Sequence, residues 1–411
     1  MLRVHAPGPD GIDLADLDHF QRGIPHESFA RLRRDAPVVR NPGGDDGFWS
    51  LLLHADVSAV NRDSRRFSSE RRGIMMFDQT SLEGPEQPRM MIEIDPPRHT
   101  RYRRLVNRGF TPRMVATLEP RMREIARGAV ETVLRDGSFD FATRLANRLP
   151  VQVICELTGV PASDQGTIEE LSDRIQAGAA QGATGAGIAT AEIAELCAYA
   201  NRLADAKRRE LADGRPPDDI VTTLLSADVD GQALSPSEFG LFFLLLAVAG
   251  NETTRTALSG GALAFAEHPE QWARLRAHPE LLPSAIEEIL RWTSPILYMG
   301  RTATEDVEIR GEKIRAGERV VLWYASANFD EAVFADPLRF DVARTPNEHV
   351  AFGAGGPHFC LGANLARLEL RVMLGELLPR VAELRLAGPV VHAGSNFSNG
   401  ILSLPLEIRP A

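Results

Sequence analysis

A segment of about 30 residues constrains the fold more than any other part of the sequence. Ser235 is predicted to cap a helix, a proline follows at the first helical position, and Glu238 completes a capping box. The helical pattern continues to Ala266 or His268, and Pro269 ends it. At 1.5 Å per residue such a helix would be roughly 45–50 Å long, enough to cross a large domain. Because it is apolar along most of its length, we expect it to form the spine of one core.

The patterns on either side of this helix predict a mainly α protein with small β-sheets, an α+β fold. Residues 98–211 are mainly helical in pattern, and alternating patterns indicate short strands near the start, after Thr304 and in the C-terminal tail. Residues 177–193 (AGAAQGATGAGIATAEI) are small and weakly patterned, so they could be a linker between domains or a mobile lid between two helices. The segments on both sides have strong helical patterns and similar composition, which favours a lid over a boundary between domains.

The charge and the cysteine content exclude several classes of protein. A net charge of −10 argues against general nucleic-acid binding. Three widely spaced cysteines exclude a disulfide framework and a Cys-rich zinc or iron–sulfur site, and they fit a reducing compartment. No run reaches the ~18 consecutive apolar residues of a membrane span, and the N-terminus lacks the apolar core of a signal peptide. We therefore expect a cytoplasmic protein with no membrane span.

A single cysteine lies near the end of a glycine-rich stretch, FGAGGPHFCLG (residues 352–362), directly before a long helical pattern. The free N–H groups and the positive dipole at the start of that helix would favour the thiolate form of Cys360, which is the form that binds metals. The glycines would let the backbone turn sharply and approach a flat ligand. Taken alone, however, such a stretch is more often a buried cysteine at a helix cap.

The long helix contains a glycine, a carboxylate and a hydroxyl in the sequence AGNETT (residues 249–254), although its neighbours are strongly apolar. One explanation is that the helix opens locally at Gly250 to admit a small ligand, to which Glu252 and Thr253 pass protons. The other is that the glycine permits close helix packing while the polar pair faces solvent. The residues themselves leave the two explanations equally open.

A carboxylate and two arginines suggest a buried charge cluster. Glu288 and Arg291 are three residues apart, so they share one helix face, and Arg339 could complete a Glu–Arg–Arg cluster with them. Buried charges persist only when they are paired and hydrogen-bonded. Many helices contain such a pair, so it carries little functional information alone.

Four basic residues could converge on one anionic ligand. His99 and Arg103 share a face of another helix, and Arg301 and His358 are further candidates. Together they could bind two carboxylates on a flat ligand. Taken singly, each histidine is more commonly a satisfied surface or core residue.

In combination and in this order, the motifs resemble those of the cytochrome P450 family, the haem-thiolate monooxygenases of the soluble bacterial kind, over essentially the whole chain. The Cys360 loop looks like the family's haem-ligand loop, and residues 249–253 look like its oxygen-activation motif. The resemblance implies the P450 fold as one domain over residues 1–411, with haem b between the long helix and the helix after Cys360. The β-rich part would span about 1–70 and 300–345, and the helical core about 98–292 and 360–380.

The resemblance also implies roles for individual residues. The iron ligand would be Cys360, and the catalytic residues would be Glu252 and Thr253. The structural cluster would be Glu288, Arg291 and Arg339. The haem contacts would be His99, Arg103, Ala249, Arg301, Phe352, Gly353, His358, Cys360 and Gly362. The loop between Phe352 and Cys360 is one residue longer than is usual in the family, and it is similar to that of bacterial members that oxidise sterols and methyl-branched lipids.

The implied activity is the insertion of one oxygen atom from O2 into a C–H bond of an apolar small molecule. The chain shows no nicotinamide or flavin fingerprint, so electrons would come from NAD(P)H through a ferredoxin reductase and a ferredoxin. Clustered arginines within residues 62–72 and 98–113 could form the docking surface. The alternatives are a peroxide-driven peroxygenase, a non-catalytic haem sensor and a helical protein without haem, and intact Glu252 and Thr253 argue against the first.

The substrate wall is predicted to come from four mostly apolar places, namely a methionine-containing loop, the long helix, the segment after the Glu288 helix, and the tail. Its candidate residues are Met76, Met90, Val248, Ile296, Leu297 and Phe397. The subgroup resemblance favours a lipid or a steroid, with a terpenoid or polyketide intermediate of a biosynthetic pathway as the alternative.

Overall fold

The computed structural model describes residues 12–43, 46–77, 89–107, 110–181, 190–214, 219–225 and 234–411. Helices form most of this part of the chain. The α-helices are α1 (His26–Asp35), α2 (His54–Arg62), α3 (Arg98–Asn107), α4 (Pro112–Thr117), α5 (Glu119–Asp136), α6 (Arg148–Leu157), α7 (Gln165–Gln181), α8 (Thr190–Ala212), α9 (Ile220–Leu225), α10 (Pro236–Glu267), α11 (Pro269–Ala277), α12 (Leu282–Thr293), α13 (Tyr324–Ala327) and α14 (Ala363–Leu377). The remaining helical turns are the 3₁₀ segments Leu17–Phe20, Met91–Glu93 and Pro279–Leu281, and a π-helical segment, Ala142–Ala146.

The strands are short and form four small sheets. They are β1 (Val38–Asn41), β2 (Phe48–Leu51), β3 (Phe67–Ser68), β4 (Ser138–Asp140), β5 (Tyr298–Ala303), β6 (Val307–Ile309), β7 (Glu312–Ile314), β8 (Arg319–Trp323), β9 (Val381–Leu386), β10 (Val391–His392), β11 (Ile401–Ser403) and β12 (Pro405–Pro410). One sheet has the order β1-β2-β8-β5-β3, another β4-β12-β9, and two are the pairs β6-β7 and β10-β11. Only β2 and β8 pair in parallel within these described sheets. The prediction of a mainly α fold with small sheets is confirmed.

Helix α10 is the centre of the helical core, as its sequence predicts. The Ser235 hydroxyl accepts the Glu238 N–H at 3.3 Å, and the Glu238 carboxylate accepts the Ser235 N–H at 2.9 Å, so both halves of the capping box form. The helix ends at Glu267, and the His268 N–H closes the last turn onto Ala264 at 2.8 Å. Helices α6, α7, α8, α11, α12 and α14 all pack against it. A 32-residue helix surrounded in this way can present side chains to a site in the middle of the protein.

The C-terminal tail returns to the segment that follows α12. The Leu297 N–H donates to the Phe397 carbonyl at 2.8 Å, and the Asn399 N–H donates to the Pro295 carbonyl at 3.0 Å. The Asn399 side chain adds a bond to the Thr293 carbonyl at 2.7 Å. These bonds fix the loop between β10 and β11 beside the C-terminal end of α12.

The weakly patterned segment, residues 177–193, lies partly outside the described residues. Helix α7 extends to Gln181 and α8 begins at Thr190, and residues 182–189 between them are not described. The lid therefore stays a prediction, and so does the organisation of residues 1–411 as one domain. Among the described helices, none combines the length and the apolar character needed to cross a bilayer.

Candidate active site

A cavity of about 420 Å³ lies between α10, the loop before α14, α3 and the tail. Every residue that the sequence predicted as a cofactor contact or a catalytic group lies on its wall. These residues are His99, Arg103, Ala249, Glu252, Thr253, Arg301, Phe352, Gly353, His358, Cys360 and Gly362. The structure thus brings together groups that are up to about 260 positions apart in the sequence.

The loop before α14 is shaped by glycine and held by α2. Gly356 has a positive φ of 80°, and a Cβ there would lie 2.6 Å from the Asn61 carbonyl oxygen, so no larger residue fits. Arg62 Nε donates to the Ala354 carbonyl at 2.7 Å. Contact with α2 therefore fixes the loop, and with it the position of Cys360.

Cys360 presents its thiol to the cavity. Its N–H donates to the Phe352 carbonyl at 2.9 Å, which closes the loop, and its side chain is accessible from the cavity although protein surrounds the site. Burial raises the pKa of the Cys360 thiol, while a hydrogen bond from the Gly362 N–H and the charges of Arg103 and Arg367 favour the thiolate. The expected bias toward thiolate is thus outweighed by burial in the protein alone. A bound cation would reverse this balance.

Two histidines pack together in the wall of the cavity. The rings of His99 and His358 lie 4.2 Å apart, and Ser69 Oγ lies 3.3 Å from His358 Nε2. Burial, together with the nearby arginines 103 and 301, lowers the pKa of His99 to about 4. Burial and the same basic neighbours lower the pKa of His358 to about 2. Nδ1 of His99 is buried and has no hydrogen-bond partner among the described groups.

Two arginines complete the basic cluster. Arg301 is 3% exposed and donates to Asn61 Oδ1 at 3.0 Å and to the Gly300 carbonyl at 2.8 Å. Arg103 donates to the Phe359 carbonyl at 2.6 Å. Within the described residues neither guanidinium forms an ion pair with a carboxylate. A buried cation such as Arg301 is costly without a counterion, so this wall fits a ligand that carries negative charges.

The polar groups of α10 face the cavity, and its glycine faces a neighbouring helix. A Cβ on Gly250 would lie 2.4 Å from Ile154 Cδ1, so the glycine permits the close packing of α10 on α6. Thr253 Oγ1 donates to the Ala249 carbonyl at 2.7 Å, and the helix is continuous there rather than locally opened. The packing explanation therefore holds for the glycine. Glu252 and Thr253 nevertheless line the cavity, as the proton-transfer part of the first explanation requires, although the local opening of the helix is not seen.

The buried charge cluster forms with a different second arginine. Arg291 donates to both Glu288 oxygens at 2.8 and 2.9 Å, and both side chains are fully buried. Arg344 Nε lies 3.0 and 3.1 Å from the same two oxygens. Arg339 is 63% exposed and lies 3.9 Å from Asp341, so its predicted place in the cluster was wrong. The chain turns there so that the Arg339 carbonyl, not its guanidinium, faces the cluster and accepts from Arg344 at 2.7 Å.

The structure places most of the predicted substrate residues on the cavity wall. Four of the six candidates line the cavity, namely Met90, Val248, Ile296 and Phe397. Met76 and Leu297 are 3% and 1% exposed and pack in a separate core, so their assignment to the wall was wrong. Met75, directly before Met76, and Ile296, directly before Leu297, line the cavity.

The sequence did not single out two carboxyl groups on the cavity wall. Glu93 and Glu369 are each 1% exposed, and each has one buried oxygen without a hydrogen-bond partner among the described groups. Burial raises the pKa of both. Glu93 interrupts an apolar run, MMIEI, and that isolated charge was a usable signal. Glu369 has an ordinary helical context and gave none.

These residues fit haem. A cysteine thiol on the cavity wall can bind an iron atom, and the four basic groups can pair with two propionates. The unpartnered Nδ1 of His99 is a donor or acceptor that such a ligand could satisfy. The remaining wall is mostly apolar, as the flat faces of a porphyrin and an apolar substrate require.

The chain is similar to known proteins over almost its whole length. The family model for cytochrome P450 matches residues 189–381. The steroid C26-monooxygenase of Rhodococcus jostii is 41% identical over 98% of this chain and 86% of its own length. The methyl-branched lipid omega-hydroxylase of Mycobacterium tuberculosis is 41% identical over 96% of this chain and 94% of its own. A Mycobacterium marinum cytochrome P450 in complex with pseudoionone superimposes with a TM-score of 0.85 at 37% identity, over 93% of this chain and 94% of that one. The chain belongs to the cytochrome P450 family, and the protein is a haem-dependent monooxygenase.

Proposed function

We propose that this monooxygenase oxidises an apolar lipid or steroid at a C–H bond, with Cys360 as the iron ligand. The observation that carries the proposal is that Cys360, Glu252 and Thr253 share one cavity with an apolar wall. The reaction consumes the substrate, O2, two electrons and two protons, and it gives the hydroxylated product and one water. Bound haem would supply the activation of O2 at its iron.

The protein would hold the haem through charge and through the fixed loop. His99, Arg103, Arg301 and His358 would donate to the propionates, whose negative charges would pair with the two arginines. The Gly362 N–H would donate to the sulfur and moderate its charge. The contact of α2 with the Cys360 loop supports this assignment, because it would fix the sulfur before haem binds.

Two residues of α10 would handle protons. Thr253 Oγ–H donates to the Ala249 carbonyl, so its oxygen can accept a hydrogen bond from a group in the cavity. The carboxyl group of Glu252 would bring protons to the Thr253 side of the cavity. Proton transfer by a placed side chain contributes about 10²–10⁴-fold to a rate, so loss of either group should be readily measured.

Electrons would come from NAD(P)H through a ferredoxin reductase and a ferredoxin, so the enzyme would be a monooxygenase and not a peroxide-driven peroxygenase. The support is a basic surface beside the Cys360 loop, where Arg62 and Arg103 bond the loop and Arg101 and Arg104 are exposed. A docking surface of this kind predicts that the reduction rate falls steeply with salt. A salt-independent rate, or equal turnover with hydrogen peroxide alone, would contradict the ferredoxin. The cytoplasmic location also stays a prediction.

The substrate class rests on the cavity wall and on the named relatives. Met90, Val248, Ile296 and Phe397 offer an apolar surface, which suits a branched alkyl chain or a steroid. A terpenoid is the second candidate, because a relative was solved with pseudoionone, an acyclic terpenoid ketone.

A spectral titration of the ferric holoenzyme would test the substrate class. The panel would contain a steroid with a branched side chain, a methyl-branched fatty acid and pseudoionone, and products of turnover would be identified for each ligand that binds. We expect the steroid or the branched lipid to shift the Soret band at the lowest concentration. A stronger response to pseudoionone would favour the terpenoid, and no response to any of the three would refute the proposed class.

A further inference from the structure

The Glu252 carboxylate is held from the helix side by its own turn of α10. Thr256 Oγ1 donates to Glu252 Oε1 at 3.4 Å, and Arg255 Nη1 lies 4.0 Å from Oε2. The Glu252 side chain is only 17% exposed, although it lies at the cavity. A carboxylate with these neighbours has a preferred position rather than free rotation in solvent.

The tail meets the same carboxylate from the opposite side. Gly400 is buried, and a Cβ added to it would lie 2.8 Å from Glu252 Oε1. Ala393 Cβ, at 3.3 Å, would also be tight and would have to shift by a few tenths of an ångström, whereas Ser398 Oγ, at 3.8 Å, leaves ordinary space. Gly400 does not have the positive φ that would itself demand glycine. Space for the carboxylate, the one neighbour closer than 3.0 Å among the described groups, is therefore the main physical reason for a glycine here.

The tail loop is well anchored, so it can act as a fixed wall. The Asn399 N–H and side chain bond the Pro295 and Thr293 carbonyls at 3.0 and 2.7 Å. The Ala393 N–H donates to the Gly400 carbonyl at 2.9 Å. A methyl group at residue 400 would consequently move the flexible end of Glu252 more easily than it would move the loop.

We propose that Gly400 is a positioning residue for proton delivery. By lacking a side chain, it lets the tail loop enclose Glu252 in the position set by Thr256 and Arg255. Phe397, three residues earlier in the same loop, lies in the substrate wall, so one anchored segment borders both the substrate and the proton-carrying group. This inference rests on the proposed role of Glu252.

The first test is the crystal structure of the ferric Gly400→Ala holoenzyme. We expect the Glu252 carboxylate to lose its contact with Thr256 while the tail loop and the haem remain in place. The melting temperature should fall by less than roughly 2–4 °C, because the displaced atoms are the end of a flexible side chain. An unmoved carboxylate beside a displaced tail loop would overturn the proposal.

The second test is kinetic and separates this inference from the proposed function. NADH consumption would be followed with a surrogate ferredoxin and reductase, with pseudoionone present, in H2O and in D2O. Glu252→Gln should slow consumption roughly 10-fold or more and raise the solvent isotope effect, and Gly400→Ala should change both in the same direction by a smaller factor. Gly375→Ala, at an α14 position with open space around it, is the matched control and should leave both unchanged.

The outcomes are distinct. If Glu252→Gln changes neither the rate nor the isotope effect, the proposed role of Glu252 is wrong. If Glu252→Gln is slow but Gly400→Ala behaves like Gly375→Ala, the role of Glu252 stands and the positioning by Gly400 is wrong.

Discussion

Replacing Arg344 with methionine should destabilise the protein far more than the same replacement at Arg339. Arg344 Nε donates to both carboxylate oxygens of the fully buried Glu288, at 3.0 and 3.1 Å. It also bonds the carbonyls of Ala335 and Arg339 at 2.7 Å each. Removing one partner of a buried ion pair costs about 3–5 kcal/mol, and Arg291 still pairs with Glu288, so we expect the lower end, about 3 kcal/mol.

Arg339→Met is the matched control, because it deletes the same charge five residues away. Its guanidinium is 63% exposed and lies 3.9 Å from the nearest carboxylate in the described residues, Asp341. A surface change of this kind alters the free energy of unfolding by about 0.5 kcal/mol or less. The two variants therefore separate the cluster seen in the structure from the cluster predicted by the sequence.

Urea unfolding of the two holoenzymes, followed by the Soret band and by far-UV circular dichroism, would measure both free energies of unfolding. Equal destabilisation of the two variants, or a larger effect at Arg339, would refute the assignment of Arg344. Haem content per protein should be recorded as well, since a loosened cluster is expected to lower the incorporated fraction.

Three further outcomes are expected. Thr253→Ala should retain haem but divert electrons to hydrogen peroxide, and an unchanged yield of product per NADH would contradict its role. Cys360→Ser should remove the thiolate-type Soret band of the reduced carbon-monoxide complex, and persistence of that band would rule out Cys360 as the ligand. Burial, with Arg33 and Arg291 nearby, lowers the pKa of His26 from 6.5 to about 4, so His26 stabilises the fold above pH 6.5 and this stabilisation is lost as the pH falls toward 4. Between pH 7.5 and pH 5, protonation of His26 should lower the free energy of unfolding of the wild type by about 2 kcal/mol. The free energy of unfolding of His26→Phe should therefore fall by about 2 kcal/mol less over the same pH range. An equal fall in the two proteins would contradict this role of His26.

Features encoded locally could be predicted from the sequence. The start of α10 depends on Ser235 and Glu238, which are three residues apart, and both of their hydrogen bonds form. The Cys360 loop and the helix after it are likewise contiguous in the chain. The prediction that distant residues share one site depended on all the motifs together, because none of these residues indicates such a site alone.

The errors have a common physical origin, which is side-chain direction outside regular helices. Arg339 and Arg344 lie in irregular backbone, where no periodicity shows which guanidinium turns inward. Met76 and Leu297 each lie next to a residue that lines the cavity, and their own side chains pack in a neighbouring core with partners distant in the sequence. The Tyr298 hydroxyl accepts the Met76 N–H at 3.1 Å, a contact between residues that are 222 positions apart.

The tail that encloses Glu252 also bears on the order in which the protein can fold. Strand β12 pairs with β4, and Ser403 bonds Asp140 across a separation of 263 residues. The wall formed by Phe397 also depends on a contact of long range, because the Phe397 carbonyl accepts the N–H of Leu297, one hundred residues earlier. Contacts of such long range form late and slowly. The apolar cavity should therefore remain open to solvent until late in folding, and its completion would be one of the final steps.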